Sequence, residues 1–288
     1  YNTFDPNLQP PTAGYVLVID QTKGDASVKY AGADANTFRE MLYYARDENP
    51  GARIIVKTHP ETQAGHREGH FGPDIEDGKT VLYDAPVSPW ALMAGATKVY
   101  TVSSQLGFEA IYAGHKPVVF ARPFHAGWGL TDDRNPIDRR QRSLTRAQLF
   151  AATMILYAKW YDPFRDALCD IETAIDNLTA EVRAYREDRH GWATQGMRLW
   201  KRKHLQSFFG QHTPISFESP AEPPQKAMIW SSKWTPDMGP MTRIEDGFLR
   251  SRGLGADLIP PVSLVCDDLG IYYDPNQPSR LEALIADS

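Results

Sequence analysis

Short apolar, β-branched runs recur along the first half of the chain, each followed by a polar segment and then by apolar residues at helical spacing. Residues 15–19 (YVLVI), 53–57 (RIIVK), 81–83 (VLY), 99–102 (VYTV) and 116–121 (KPVVFA) read as buried strands. Phe38, Met41, Leu42 and Ala45 mark one face of a helix from Thr37 to about Asn49, capped by Asp34 or Asn36 and stopped at Pro50-Gly51. Residues 87–94 form a short helix with Pro89 in its first turn. Ser104 can cap a helix carrying Leu106, Ala110, Ile111 and Ala113, which Gly114 ends. Strands alternating with helices predict an α/β fold with a doubly wound parallel sheet.

Beyond Thr131 the spacing turns helical. Residues 145–160 and 163–185 read as packing helices broken at Asp162-Pro163, and the charges at Glu187–Arg189 suggest a boundary. The remainder holds a helix within 196–209, a Pro-rich join at 214–224, strands at 227–230 and 262–266, and a terminal helix capped by Ser279. That is too little for a complete second sheet. Two domains are therefore expected, residues 1–188 and an incomplete second α/β portion at 189–288.

Composition narrows the field. An apolar share of 42% supports real cores, and a net charge of −5 gives no support to nucleic-acid binding. No apolar run approaches the roughly 18 residues a membrane span needs. The two cysteines, Cys169 and Cys266, have neither CxxC nor zinc spacing, so a reducing cytoplasm is the simplest setting. The chain opens on Tyr1, which suggests a piece of something longer.

The candidate chemistry sits where the predicted strands end. Ser103 and Ser104 follow one strand and open a helix, an arrangement suited to a phosphate. His59-Pro60 ends another strand and sets an imidazole at the sheet's edge, while Glu109 lies one and a half turns into the serine helix, within reach of a ribose hydroxyl. Asp25, in a glycine-bearing loop, can attack an anomeric carbon, and Glu245-Asp246-Gly247 can supply a second carboxylate. Each also fits a plain cap, turn or solvated position. Asp132-Asp133 and Asp267-Asp268 read as solvated loops rather than metal ligands. There is no Walker motif, no strand-following GxGxxG and no GxSxG, so nothing supports a kinase, dehydrogenase or α/β-hydrolase.

Taken in order, DQTKGDAS (20–27), KTHPE (57–61), VSSQLGFEA (102–110), PFHAGWGLTDDR (123–134), WKR (200–202), RIEDGFLRSRGLG (243–255) and the segment 261–281 closely resemble the KpsC-type capsular polysaccharide proteins of Gram-negative bacteria. The resemblance implies a GT-B fold, in which residues 1–188 are a Rossmann-like nucleotide-sugar half. It also implies a retaining transferase that moves Kdo from CMP-Kdo to a lipid-linked saccharide acceptor. Asp25 would be the nucleophile and Glu245 an acid/base, with Gln21, Lys57, His59, Glu61, Ser103, Ser104, Glu109 and Arg250 binding substrate. No metal or cofactor is implied beyond the CMP-Kdo donor. Expected partners are the CMP-sugar donor, the lipid-linked acceptor and other capsule assembly proteins, with the chain cytoplasmic and peripheral to the inner membrane. In this family the WKR and EDGFLRS motifs precede the serine helix of a module; here they follow it. Residues 1–188 are therefore expected to end one module and 189–288 to begin the next, with the catalytic counterpart of Asp25 upstream. A permuted arrangement of the two pieces, a GT-B enzyme for another nucleotide sugar and a non-catalytic capsule component remain the alternatives.

Overall fold

The computed structural model describes residues 4–5, 7–253 and 259–288. Residues 1–3, residue 6 and residues 254–258, which include the last two of RIEDGFLRSRGLG, lie outside the described residues. The chain divides into two compact units, one ending at Ile175 and the other starting at Asp176.

The first unit follows the predicted alternation. Its elements are β1 (Tyr15–Ile19), α1 (Ala26–Tyr30), α2 (Ala35–Asp47), β2 (Arg53–Lys57), α3 (Pro60–Gln63), β3 (Thr80–Tyr83), α4 (Pro89–Gly95), β4 (Ala96–Thr101), α5 (Gln105–Tyr112), β5 (Val118–Val119) and β6 (Asp132–Asp133). The strands form a six-stranded sheet in the order β3-β2-β1-β4-β5-β6, every pair parallel.

Alternation along β1 sends its side chains to two cores. Val16 and Val18 pack with Phe38, Met41 and Leu42 of α2, while Tyr15, Leu17 and Ile19 pack with Leu92 and Met93 of α4 and Ala110 of α5. Helices thus cover both faces, as the doubly wound reading requires. Each large apolar side chain buried this way contributes roughly 1.5–3 kcal/mol.

Three expectations change. The polar loop after β1 contains a helix, α1, which Asp25 caps by accepting from the Ser27 N–H. Asp132-Asp133 is not a solvated loop but an edge strand. Glu48 at the end of α2 draws together Lys98 of β4 and Arg134 just past β6, and Asp133 accepts from Gly127 N–H and the Thr131 hydroxyl.

Of the two predicted packing helices, the second is kept over Ile171–Asp188, while the first is regular only in α6 (Arg146–Phe150) and passes into a π-helical segment over Ala151–Tyr157. A hairpin of β7 (Trp160–Asp162) and β8 (Ala167–Cys169) follows. Its turn forms because the Asp162 carboxylate accepts from the N–H groups of Phe164 and Arg165, a local bond that outcompetes helix continuation.

The next helix, α7 (Ile171–Asp188), leads into the second unit, with β9 (Trp192–Thr194), α8 (Leu199–Phe209), β10 (Ser216–Phe217), β11 (Lys226–Trp230), β12 (Thr242–Asp246), β13 (Leu264–Asp267) and α9 (Arg280–Ala286). These strands pair in the order β10-β9-β11-β12-β13, parallel except for β12 with β13. Trp192, Met228 and Ile244 from the sheet pack with Leu205 and Phe209 of α8. Among the described residues, no helix is long and apolar enough to cross a membrane.

Candidate active site

In the first unit the chain goes from β1 to β2 on one side of the sheet and later to β4 on the other. Open α/β sheets bind ligands at such a reversal, outside the carboxyl ends of the strands. A cleft of about 510 Å³ lies there, lined by the segments that follow β1, β2, β4 and β5. Asp25, His59, Ser103 and Ser104 all line it, so four residues singled out from three separate motifs meet in one place.

Hydrogen bonds fix the cleft's floor. The buried Gln21 amide accepts from the Ser103 N–H at 3.0 Å and donates to the Ser103 hydroxyl at 3.1 Å and the Ser27 hydroxyl at 3.3 Å. One side chain thereby ties the Asp25 loop to the serine turn. Gln21→Ala would strand the Ser103 N–H away from water, at a cost of about 2 kcal/mol. Urea denaturation should show that loss, and a clearly smaller one for Ser27→Ala, whose side chain is exposed.

Ser104 caps α5, its hydroxyl oxygen accepting from the Leu106 N–H while its proton stays available to a ligand. His59 caps α3: Nδ1 accepts from the Glu61 N–H at 3.2 Å, leaving Nε2–H as a donor at the cleft. Beside them, Asp20 accepts from the N–H groups of Gln21, His70 and Phe71, and burial pushes its carboxyl up to about 6. Gly69 passes so close to Asp20 that a Cβ would overlap the carboxylate.

Other predicted residues lie elsewhere. Lys57 donates to the Ala85 carbonyl, and burial lowers its ammonium below the usual lysine range. Glu61 pairs with Arg67. Glu109 is half-buried on α5 beside Trp90 of α4, and burial pushes its carboxyl up against the Trp90 hydrogen bond. In the second unit, Glu245 accepts from the Asp246 N–H and, at 3.4 Å, from the Tyr273 hydroxyl; Arg250 donates to Asp246 at 2.7 Å. Among the described residues, no three His, Cys, Asp or Glu side chains are grouped to hold a metal ion.

The cleft also contains groups that the sequence reading did not single out. Tyr30 and Phe124 expose aromatic surface, and Arg122 follows β5 with no ion-pair partner among the described residues. The rule that drew attention to Ser103 and His59, a polar residue just past a buried strand, applies equally to Arg122.

A sequence profile described as capsule polysaccharide biosynthesis protein matches residues 2–160 and 238–288. The capsule polysaccharide modification protein LipA of Neisseria meningitidis serogroup A is 35% identical over 302 aligned residues, which cover 97% of this chain and 43% of LipA. The lipopolysaccharide-processing protein LpsZ of Rhizobium meliloti is 38% identical over 178 residues, covering 60% of this chain and 40% of LpsZ. Among solved structures, Thermosulfurimonas dismutans KpsC, described as a beta Kdo 2,4 transferase, aligns with a TM-score of 0.57 and 39% identity, over 60% of this chain and 54% of that one. The chain thus spans less than half the length of these curated relatives.

Proposed function

Since the chain belongs to the capsule polysaccharide biosynthesis family, we propose that its first unit is the donor-binding half of a glycosyltransferase that moves Kdo from CMP-Kdo onto a lipid-linked saccharide acceptor. The observation that carries this reading is the convergence of Asp25, His59, Ser103 and Ser104 on one cleft at the switch point of the sheet. The similarity to a solved Kdo transferase supports the choice of sugar.

In this reading the phosphate of CMP lies at the start of α5, held by the Ser103 and Ser104 hydroxyls, nearby backbone N–H groups and Nε2–H of His59. These donors stabilise negative charge as the phosphate leaves. The Asp25 carboxylate attacks the anomeric carbon: a carbon–oxygen bond to Asp25 forms, the bond to phosphate breaks, and CMP departs with the electron pair. An acceptor hydroxyl then displaces Asp25 from the opposite face while a base takes its proton. Two inversions give net retention. Residues 1–188 would close one module and 189–288 open another, so that Glu245 serves a different site from Asp25. The reaction would take place in the cytoplasm, against the inner membrane.

Nucleotide selectivity tests the reading. CMP should raise the melting temperature of the chain and UDP should not, with the CMP response abolished by the double variant Ser103→Ala/Ser104→Ala. Equal stabilisation by UDP would redirect the proposal to another nucleotide sugar. Absence of any nucleotide effect would favour a non-catalytic role in capsule assembly.

A further inference from the structure

Two consecutive residues at the end of β1 hold the Asp25 loop from its two sides. Gln21 bonds it to the serine turn after β4. Asp20 bonds it to a third segment, the loop at residues 66–71 that follows α3. The buried Asp20 carboxylate accepts from the N–H groups of His70 at 3.2 Å and Phe71 at 3.5 Å, besides that of Gln21 at 2.8 Å. The join runs on along both chains. Thr22 and Gly69 form an antiparallel bridge, the Lys23 N–H donates to the Glu68 carbonyl at 2.7 Å, and Arg67 donates to the Lys23 carbonyl at 3.2 Å.

The 66–71 loop has a firm backing. The His70 ring lies flat on Phe38 of α2, with 3.7 Å between ring centres, and Phe71 meets the same phenyl ring edge-on. Close approach to Asp20 requires Gly69, where a Cβ would overlap the carboxylate. The helix that precedes this loop, α3, is capped by His59. Asp20 therefore connects the loop carrying Asp25 to the segment headed by His59, and both of those side chains line the cleft. A buried carboxylate is a costly way to hold two loops together, because its charge must be taken out of water. Its return is geometric: one side chain gathers three backbone donors and fixes both chains around them.

We propose that Asp20 is a positioning residue, whose ionised carboxylate clasps the 66–71 loop against residues 22–23 and so sets the place of Asp25 relative to His59. This rests on the reading of Asp25 and His59 as residues of a transferase site.

The clasp is also sensitive to acid. Burial pushes the Asp20 carboxyl up to about 6, against the backbone hydrogen bonds and the pull of Lys23. Below that value one oxygen carries a proton and accepts poorly, so part of the clasp is lost. The other titratable groups around it are Glu68, which pairs with Lys23 at the surface, Lys57, whose ammonium donates to the Ala85 carbonyl, and His70, held below its ordinary value by burial.

The test is sugar transfer by the intact protein as a function of pH. Asp20→Asn keeps the shape of the side chain but turns N–H donors towards backbone N–H groups. Its kcat should be about tenfold lower at neutral pH, with CMP bound at the wild-type stoichiometry. In the wild type, kcat should step down as pH falls through about 6; in Asp20→Asn that step should be absent. Loss of stability alone would not erase a pH step. Gly69→Ala attacks the clasp from the other chain and, with no left-handed φ at this position, introduces no backbone strain of its own. It should lower kcat to a similar extent, the double variant should be no worse than either single one, and it keeps the test decisive if Asp20→Asn does not fold. Wild-type kcat in Gly69→Ala, or an acid step that persists in Asp20→Asn, would overturn the proposal while leaving the transferase reading in place. A wild type that neither transfers sugar nor binds CMP would overturn that reading, and this inference with it.

Discussion

Asp25→Asn should reduce sugar transfer by a factor of about 10³ or more while leaving the fold and CMP binding intact. The substitution is clean because the structural duty of Asp25 is separable from its chemistry. Its side chain caps α1 by accepting from the Ser27 N–H at 2.8 Å, and asparagine caps helices as well as aspartate does. The variant keeps the turn and loses only the negative oxygen that would attack the anomeric carbon. Asp25→Ala removes both functions and should add about 1 kcal/mol of destabilisation. Transfer assays on the intact protein, paired with CMP thermal shifts, separate the two effects. Transfer by Asp25→Asn at the wild-type rate would eliminate this residue as the nucleophile.

The second large effect concerns His125, which is wholly buried beneath α5. Gly107 is what makes room: a Cβ there would lie 2.6 Å from His125 Nε2 and 2.8 Å from Thr101 Cγ2. Neither ring nitrogen has a hydrogen-bond partner among the described residues, and burial, aided by the Arg140 charge, holds the imidazole down to about 3. In the unfolded chain the same ring takes up a proton near 6.5. Because the folded value is the lower one, the stability linked to His125 is fully present above pH 6.5 and is lost as pH falls towards 3. At about 1.4 kcal/mol per pH unit, roughly 3 kcal/mol of it should disappear between pH 7 and pH 4.

Asp20 acts in the opposite sense. Its folded value, about 6, exceeds the ordinary 3.8, so acidification through that window favours the folded state. The wild type should therefore look less acid-sensitive than His125 alone dictates. Comparison with His125→Leu, which fills similar space without titrating, isolates the histidine: the urea midpoint of the variant should gain on that of the wild type steadily as pH is lowered. Parallel pH profiles for the two proteins would refute the account.

Much of the first unit could be read from the chain because its signals are local. β1 and β2 are short apolar runs bounded by polar residues, and their predicted limits match the structure residue for residue. Ser104 announces a helix start that α5 confirms. The parallel sheet then converts three such local signals into one cleft by placing strand ends side by side. What stayed hidden depends on distant pairing or on competition between local structures. The Gln21–Ser103 bonds join residues 82 positions apart, and nothing in either motif specifies them. The helical spacing across residues 145–185 holds at both ends, but between them the Asp162 turn and the antiparallel pairing of β7 with β8 prevail over residues 160–169. Glu109 shows a further limit: helical position gave its height along α5, while its burial beside Trp90 depends on how α4 packs.

The position of β1 between β2 and β4 has a kinetic meaning as well. Pairing β1 with β2 closes a loop of moderate length, but pairing it with β4 must bring together segments about 80 residues apart, and long-range parallel pairing is intrinsically slow. A chain that has built every helix and the β1–β2 half of the sheet still has only one wall of its cleft. Ligand binding in this unit is therefore bound up with that long-range closure of the sheet, and cannot be inherited by a partly folded fragment that lacks it.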